Sequence, residues 1–256
     1  MSHIHRFTLA FALFALLAAT GRAQDSRPTA TFAELDTIFS RHVSDAGVDY
    51  AGLRRRSLPL LDRVLERVAK QDAKRLKTKA ARIAFYVNAY NAHVLRKVLA
   101  LTPKQKSVLD RKGFFDKDLV AVAGSRLTLN ALEKRARDEG DPRVHFVVNC
   151  ASASCPPLVR ETLTAKNLER HLAAATRAYL HDRRHGLAVT KKGDVALSKI
   201  FEWYAKDFAR SGKTTDVLAW IRTQVKDPAL KKRLAGKTKV VWKTYDWALN
   251  AAPKRR

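Results

Sequence analysis

The stretch Arg143-Val-His-Phe-Val-Val-Asn-Cys-Ala-Ser-Ala-Ser-Cys-Pro-Pro-Leu158 constrains the fold of this chain more than any other, because it holds both of the 2 cysteines. Val144, Phe146, Val147 and Val148 give the β-branched and aromatic enrichment of a buried strand. The small residues Ala151 to Ser154 and then Pro156-Pro157 predict an irregular turn after it. A strand so placed delivers Cys150 and Cys155 into one tight loop, together with Asn149, Ser152 and Ser154. Strand alternation puts His145, Val147 and Asn149 on one face and Phe146, Val148 and Cys150 on the other. His145 and Cys150 are then about 16 Å apart along the strand, beyond hydrogen-bond reach. Any histidine partner for a thiol is therefore met by Cys155 folding back, or is a different histidine.

Met1 to Arg6 is a short basic segment, Phe7 to Ala19 an apolar run and Gly21-Arg22-Ala23 a small-x-small site. That order predicts a secretory signal peptide over residues 1–23, followed by a single globular domain over residues 24–256. No later window is apolar enough to span a bilayer, so the expectation is an exported protein, periplasmic or extracellular, with no transmembrane segment in the mature chain. Removing Arg6 and Arg22 with the leader lowers the formal net charge from +26 to +24. A chain this basic attracts anions. Export and the lack of zinc-finger, RNP or basic-zipper patterns argue against nucleic acid, leaving an anionic envelope component or a small molecule as the expected partner. Basic residues that merely coat solvated helix faces would give the same composition.

Thr31 to Ala51 reads as an amphipathic helix carrying Phe32, Leu35, Ile38 and Phe39, giving way to the turn-rich Asp45 to Tyr50. Ser57 to Ala73 reads as a second helix, with Leu61, Val64 and Val68 inward. A third covers Lys79 to Leu101. On it Asn88 and Asn91 sit three apart, on one face with Ala84 and Leu95, so both point inward. Amides are costly to bury without partners. They either hydrogen-bond an irregular backbone, for which the Cys150 to Cys155 loop is the obvious candidate, or orient a histidine or a substrate. His93 falls elsewhere on the helix and reads as a surface or edge residue.

Beyond Thr102-Pro103 the chain shows an exposed-looking Phe114-Phe115 pair, a hairpin over Asp118 to Leu129 and a short helix capped by Thr128 or Asn130. Thr164 to His181 reads as a helix and Leu187 to Ser198 as a second hairpin turning at Gly193-Asp194. Trp203, Tyr204, Trp242, Tyr245 and Trp247 concentrate the large aromatics in the last quarter, where packing into a core is the usual outcome. Asp207 and Asp246 stand nearby, to pair with Lys or Arg or to orient His145.

Several of these segments together resemble one family. They are Asn88-Ala-Tyr-Asn91, Gly124-Ser-Arg-Leu-Thr-Leu129 with Leu132-Glu133, Asp141-Pro-Arg-Val-His-Phe146 through Cys150-Ala-Ser-Ala-Ser-Cys-Pro156, Trp203-Tyr-Ala-Lys-Asp-Phe208 and Tyr245-Asp-Trp-Ala-Leu-Asn250. In this order they are similar to the domain-of-unknown-function 547 family over roughly residues 49–250. The resemblance implies a shared fold and carries no activity, substrate or cofactor with it. The fold class expected from the elements is α+β, an antiparallel sheet built from hairpins and a central strand and covered by helices.

Two functions fit. In one, the protein is a Cys- or Ser-dependent hydrolase or acyl transferase acting on an amide or thioester. Cys150 or Cys155 attacks, His145 is base or orienter, Asn88 or Asn91 fixes the imidazole, and loop amides after Ala151 hold the oxyanion; Asn149, Ser152 and Ser154 complete the binding loop. In the other, it is a non-catalytic envelope module whose cysteines form a structural disulfide and whose basic surface docks an anionic polymer. Metal binding is a third, weaker option, since Cys-x4-Cys with His145 supplies at most three ligands and matches no standard zinc spacing; no cofactor is implied.

Overall fold

The computed structural model describes residues 32–236 and 238–253, and the expected leader over residues 1–23 lies outside them. Helix α1 (Ala33–His42) buries Leu35, Ile38 and Phe39. It stops well short of the expected Ala51, because the chain turns into a tight hairpin, β1 (Val43–Ser44) with β2 (Gly47–Val48). Gly47 adopts φ +117°, and a Cβ there would lie 2.3 Å from the carbonyl oxygen of Asn250, so only glycine fits. Asp49 then caps α2 (Tyr50–Arg56) by accepting from the Gly52 amide at 2.7 Å.

The periodic segments fold as their patterns dictate. Helix α3 (Leu58–Lys70) buries Leu61, Val64 and Val68, and α4 (Lys79–Leu99) starts at Thr78, whose hydroxyl accepts from the Ala81 amide. Helix α4 is buried on nearly every side from Ile83 to Leu95, which takes in His93. The surface reading of that histidine is therefore corrected: the ring lies 3.2 Å from the Ala121 carbonyl oxygen, under the hairpin β3 (Val120–Val122) and β4 (Ser125–Leu127). Phe114 is likewise buried rather than exposed, its ring covered by the Lys97 ammonium at 4.6 Å. Thr128 caps α5 (Leu129–Arg137).

The expected central strand does not form. Pro142–Phe146 is a 3₁₀ helix, capped by the Asp141 carboxylate on the Arg143 amide, and the chain runs on irregularly to the cysteines. Two hydrophobic cores explain why. Val144, Val147 and Val148 enter a large core with α1 to α5, whereas Phe146 enters a second one with Tyr179, Phe201, Phe208 and Ile221. A period near three puts Val144 and Val147 on one side and Phe146 on the other, and strand alternation cannot do that.

Past the loop come α6 (Leu168–His181), the hairpin β5 (Leu187–Val189) and β6 (Val195–Leu197), and the short helices α7 (Ile200–Trp203) and α8 (Ala205–Phe208). Then follow α9 (Thr214–Gln224), α10 (Pro228–Ala235) and β7 (Val240–Trp242). The architecture is α+β with helix predominant. In place of one sheet there are three small ones among the described residues, and β7 joins β6 in parallel. No helix among the described residues is long and apolar enough to cross a membrane.

After β7 the chain threads back between distant segments. Ala153 donates to the Ala248 carbonyl at 2.7 Å, Asn250 to Ala151 at 3.0 Å, Leu249 to Lys106 at 2.9 Å and Val48 to Asn250 at 2.9 Å. This stitching ties the cysteine loop, the first hairpin and the segment after α4 to one strand-like ribbon.

Candidate functional site

Two asparagines hold the cysteine loop in place, and a third braces the chain beyond it. Asn91 donates to the Val147 carbonyl at 2.9 Å and accepts from the Asn149 amide at 2.9 Å, so one side chain replaces a rung of sheet pairing. Asn88 does the same for Leu163, at 2.8 and 3.0 Å. Asn149 donates to Pro156 at 2.8 Å and accepts from the Ala151 amide at 3.0 Å. All three are buried with both amide atoms committed to protein partners, which is how an irregular backbone is made tolerable inside a core. Neither Asn88 nor Asn91 touches an imidazole.

The brace forces a sharp reversal after Cys150. Ala151 sits in the left-handed region at φ +66°, fully buried, a conformation alanine adopts only when its surroundings impose it. The reversal brings Cys150, Ser152 and Cys155 together. The Cys150 Sγ lies 3.1 Å from Ser152 Oγ and 3.4 Å from the Tyr245 hydroxyl, and Ser152 donates to that hydroxyl at 3.1 Å. Both cysteines are free thiols, so the disulfide expected in the binding-module reading is not formed.

The two thiols are not equivalent. Cys155 Sγ accepts from the Cys150 amide at 3.0 Å, and its single proton is shared between the Val148 carbonyl at 3.8 Å and the Cys150 sulfur. Burial pushes the Cys155 thiol well above its ordinary range. Cys150 is drawn the other way. Its bond with the Cys155 thiol, then those with Ser152 and Tyr245, outweigh burial and lower it below the usual thiol range. Burial keeps the Tyr245 hydroxyl protonated, so it can donate to a thiolate.

The expected oxyanion donors are not available. The Ala151, Ala153 and Ser154 amides are bonded to Asn149 Oδ1, Ala248 O and Asp246 O, and the Ser152 amide is directed at Cys150. Ser154 in turn accepts from the Asp246 amide at 2.9 Å, holding the ribbon rather than facing a ligand.

His145 reaches this region by the 3₁₀ turn, so the separation expected for a strand does not apply. Its Nε2 lies 2.8 Å from Asp207 Oδ2, which also receives Arg137 at 2.9 Å. The bond to His145, and then that to Arg137, holds the Asp207 carboxyl down to about 2. Asp207, not an asparagine, is the group that orients the imidazole. Tyr204 covers the ring at 4.2 Å between centroids, and Arg137 packs over Tyr204 at 4.8 Å while pairing with Glu133 at 3.1 Å. With Nε2 on a carboxylate, the neutral ring carries its proton there. Nδ1 has no hydrogen-bond partner among the described residues.

His145, Cys150 and Cys155 line one cleft of about 350 Å³, with Glu133, Tyr90 and Ile200. Phe115, Trp203, Tyr245 and Trp247 form its aromatic wall. The expectation that the late aromatics are core holds for only part of that stretch. Tyr204, Trp242 and Tyr245 pack half-buried against the second core and Trp247 against the first, whereas Trp203 is 47% exposed. Sequence reasoning therefore missed Tyr245, Trp203 and Glu133 as site residues. Tyr245 stood in a segment already singled out, but nothing local linked it to a thiol 95 residues away. Among the described residues no group of three or more His, Cys, Asp or Glu side chains could hold a metal ion.

Fold and site define a mixed α+β protein with an asymmetric pair of thiols in an aromatic cleft. Residues 73–180 match the model of a family described as "Protein of unknown function, DUF547", so this stretch of the chain is similar to that family. The match spans the Asn-bearing helix and the cysteine loop. Neither the curated proteins nor the solved structures give a match.

Proposed function

We propose that the protein is an exported, thiol-dependent acyl-transfer enzyme, a hydrolase or transferase acting on an amide or thioester, with Cys150 as nucleophile. The observation that carries this reading is the lowered Cys150 thiol, hydrogen-bonded to Tyr245 and Ser152, in a cleft shared with an aspartate-backed histidine. The Cys150 proton passes to His145 Nδ1, and Sγ attacks the acyl carbon. As charge moves from sulfur to the acyl oxygen, the Tyr245 hydroxyl transfers its hydrogen bond with it, replacing the loop amides that are already paired. The tetrahedral adduct collapses, the leaving group takes the proton from His145, and water or an acceptor releases the acyl group from Cys150. Cys155 keeps its proton and positions the Cys150 backbone.

Mass spectrometry after exposure to p-nitrophenyl acetate tests this. One acetyl group is expected on Cys150 with a matching burst of nitrophenol, both lost in Cys150→Ala. A burst that survives Cys150→Ala would sink the reading. Export is checked on the secreted fraction, where the chain is expected to start near Gln24.

The alternative, an envelope module for anionic polymers, draws on the formal net charge of +26. It predicts retention on anionic polysaccharide that falls steeply between low and physiological salt, as the screening length shrinks to about 8 Å. Its structural staple is absent, since both cysteines are free.

A further inference from the structure

The wall of the cleft points to the kind of acyl group it takes. We infer that the site selects an uncharged aromatic acyl group, laid against Trp203 and Trp247. This rests on the acyl-transfer reading and names the substrate class for it. Trp203 and Trp247 stack at 5.9 Å with 27° between their planes, and Tyr245 meets the two at 4.9 and 4.8 Å. Phe115 extends the wall at 6.5 Å from Trp247. Tyr245 belongs to this wall and also bonds Cys150, so the substituent on an acyl carbon at sulfur is carried onto the aromatic rings. Trp203, at 47% exposure, leaves ring surface uncovered, whereas large aromatics bury most of theirs when they serve only to pack.

Charge settles the rest. The chain has 50 Lys and Arg in 256 residues, yet none of the described residues lining this cleft is either one. Glu133, its one carboxylate, is already paired with Arg137. An anionic acyl group would lose hydration here and find no cation in return. A cleft of about 350 Å³ lies at the small end of ligand sites, matching a single ring rather than a polymer.

The test compares p-nitrophenyl esters that share a leaving group and differ in acyl group: phenylacetyl, acetyl and hemisuccinyl. The kcat/KM for phenylacetyl is expected to exceed both others by about tenfold or more, on the scale of aromatic pairing plus ring burial. That ratio should collapse in Trp203→Ala and return in Trp203→Phe. Calorimetric titration with phenylacetamide, a neutral ligand, gives a readout independent of turnover. Binding that weakens in Trp203→Ala, with no ester turned over, supports the aromatic site while the nucleophile reading fails. Equal rates on all esters, or a preference for hemisuccinyl, overturn the inference and leave the nucleophile in place. Absence of phenylacetamide binding together with absence of turnover overturns both.

Discussion

The Asn149 to Pro156 loop has two sides that satisfy their polar groups in opposite ways. On one, Asn91 and Asn149 commit both amide atoms to protein partners in fixed pairs. On the other, Cys150, Ser152 and Tyr245 share hydrogens among three atoms, any of which can be donor or acceptor in turn. A bidentate amide sets one N–H and one oxygen against fixed backbone partners, and neither group titrates, so it holds geometry. A ring of hydroxyls and a thiol can lose or move a proton without breaking apart. The rigid side thus fixes where the reactive side stands, and the two should respond to different perturbations.

The largest effect is expected from Asn91→Ala. It strands the Val147 carbonyl and the Asn149 amide inside the core, at about 1–3 kcal/mol each, so a loss of about 2–6 kcal/mol should appear in urea unfolding. Iodoacetamide labelling of Cys150 in the folded fraction should keep its wild-type pH dependence. A loss below about 1 kcal/mol would show that the asparagine is not a brace.

His93 lies on the same helix and tests the core beneath the brace by pH. Burial, opposed by its bond to Ala121, pushes this imidazole down to about 4. The unfolded chain, with an ordinary value near 6.5, therefore binds the proton first. Its contribution is whole above about pH 6.5, is lost as pH falls toward 4 and is level below; it should reach about 3 kcal/mol. Stability measured from pH 7 to 4 should fall less steeply in His93→Gln, and identical slopes would remove His93 from the account.

On the reactive side, Asp207→Asn should lower the rate of acyl transfer roughly tenfold to a hundredfold, through the imidazole it orients. Melting should fall as well, because the carboxylate held down to about 2 pairs a buried imidazole and Arg137, so rates are compared on the folded fraction. With the carboxyl held at about 2, the wild-type profile above pH 4 should show no step from Asp207. The smallest effect is that of Tyr245→Phe on alkylation of Cys150, a reaction in which no oxyanion forms. Losing one donor to sulfur should raise the midpoint of Cys150 alkylation by less than about one pH unit, with a few-fold slower labelling at pH 7. A downward shift would mean that Tyr245 does not stabilise the thiolate.

Much of the fold was legible because its signals are local. The apolar spacing of Leu61, Val64 and Val68, the cap at Thr128 and the turn at Gly193 act within a few residues. The 3₁₀ segment was not legible, since Val144 and Phe146 diverge only when two cores lie on either side of them. The burial of Asn88 and Asn91 followed from their place on α4, and Asp207 stood among the candidates to orient His145. Nothing in the sequence separated Cys150 from Cys155. That difference comes first from the bond of Cys150 with the Cys155 thiol and from the burial of Cys155, both set by tertiary structure.

The ribbon that follows β7 sets an order of events. Ribosomes make a chain from its amino end, so both cysteines exist long before Tyr245, which stands 95 residues after Cys150. Until residues 246–252 lie down between Val48, Lys106 and the Ala151 to Ser154 turn, Cys150 has neither its phenol donor nor its aromatic wall. A chain still lacking that last segment therefore carries Cys150 without its phenol donor, and the thiol's surroundings are completed last.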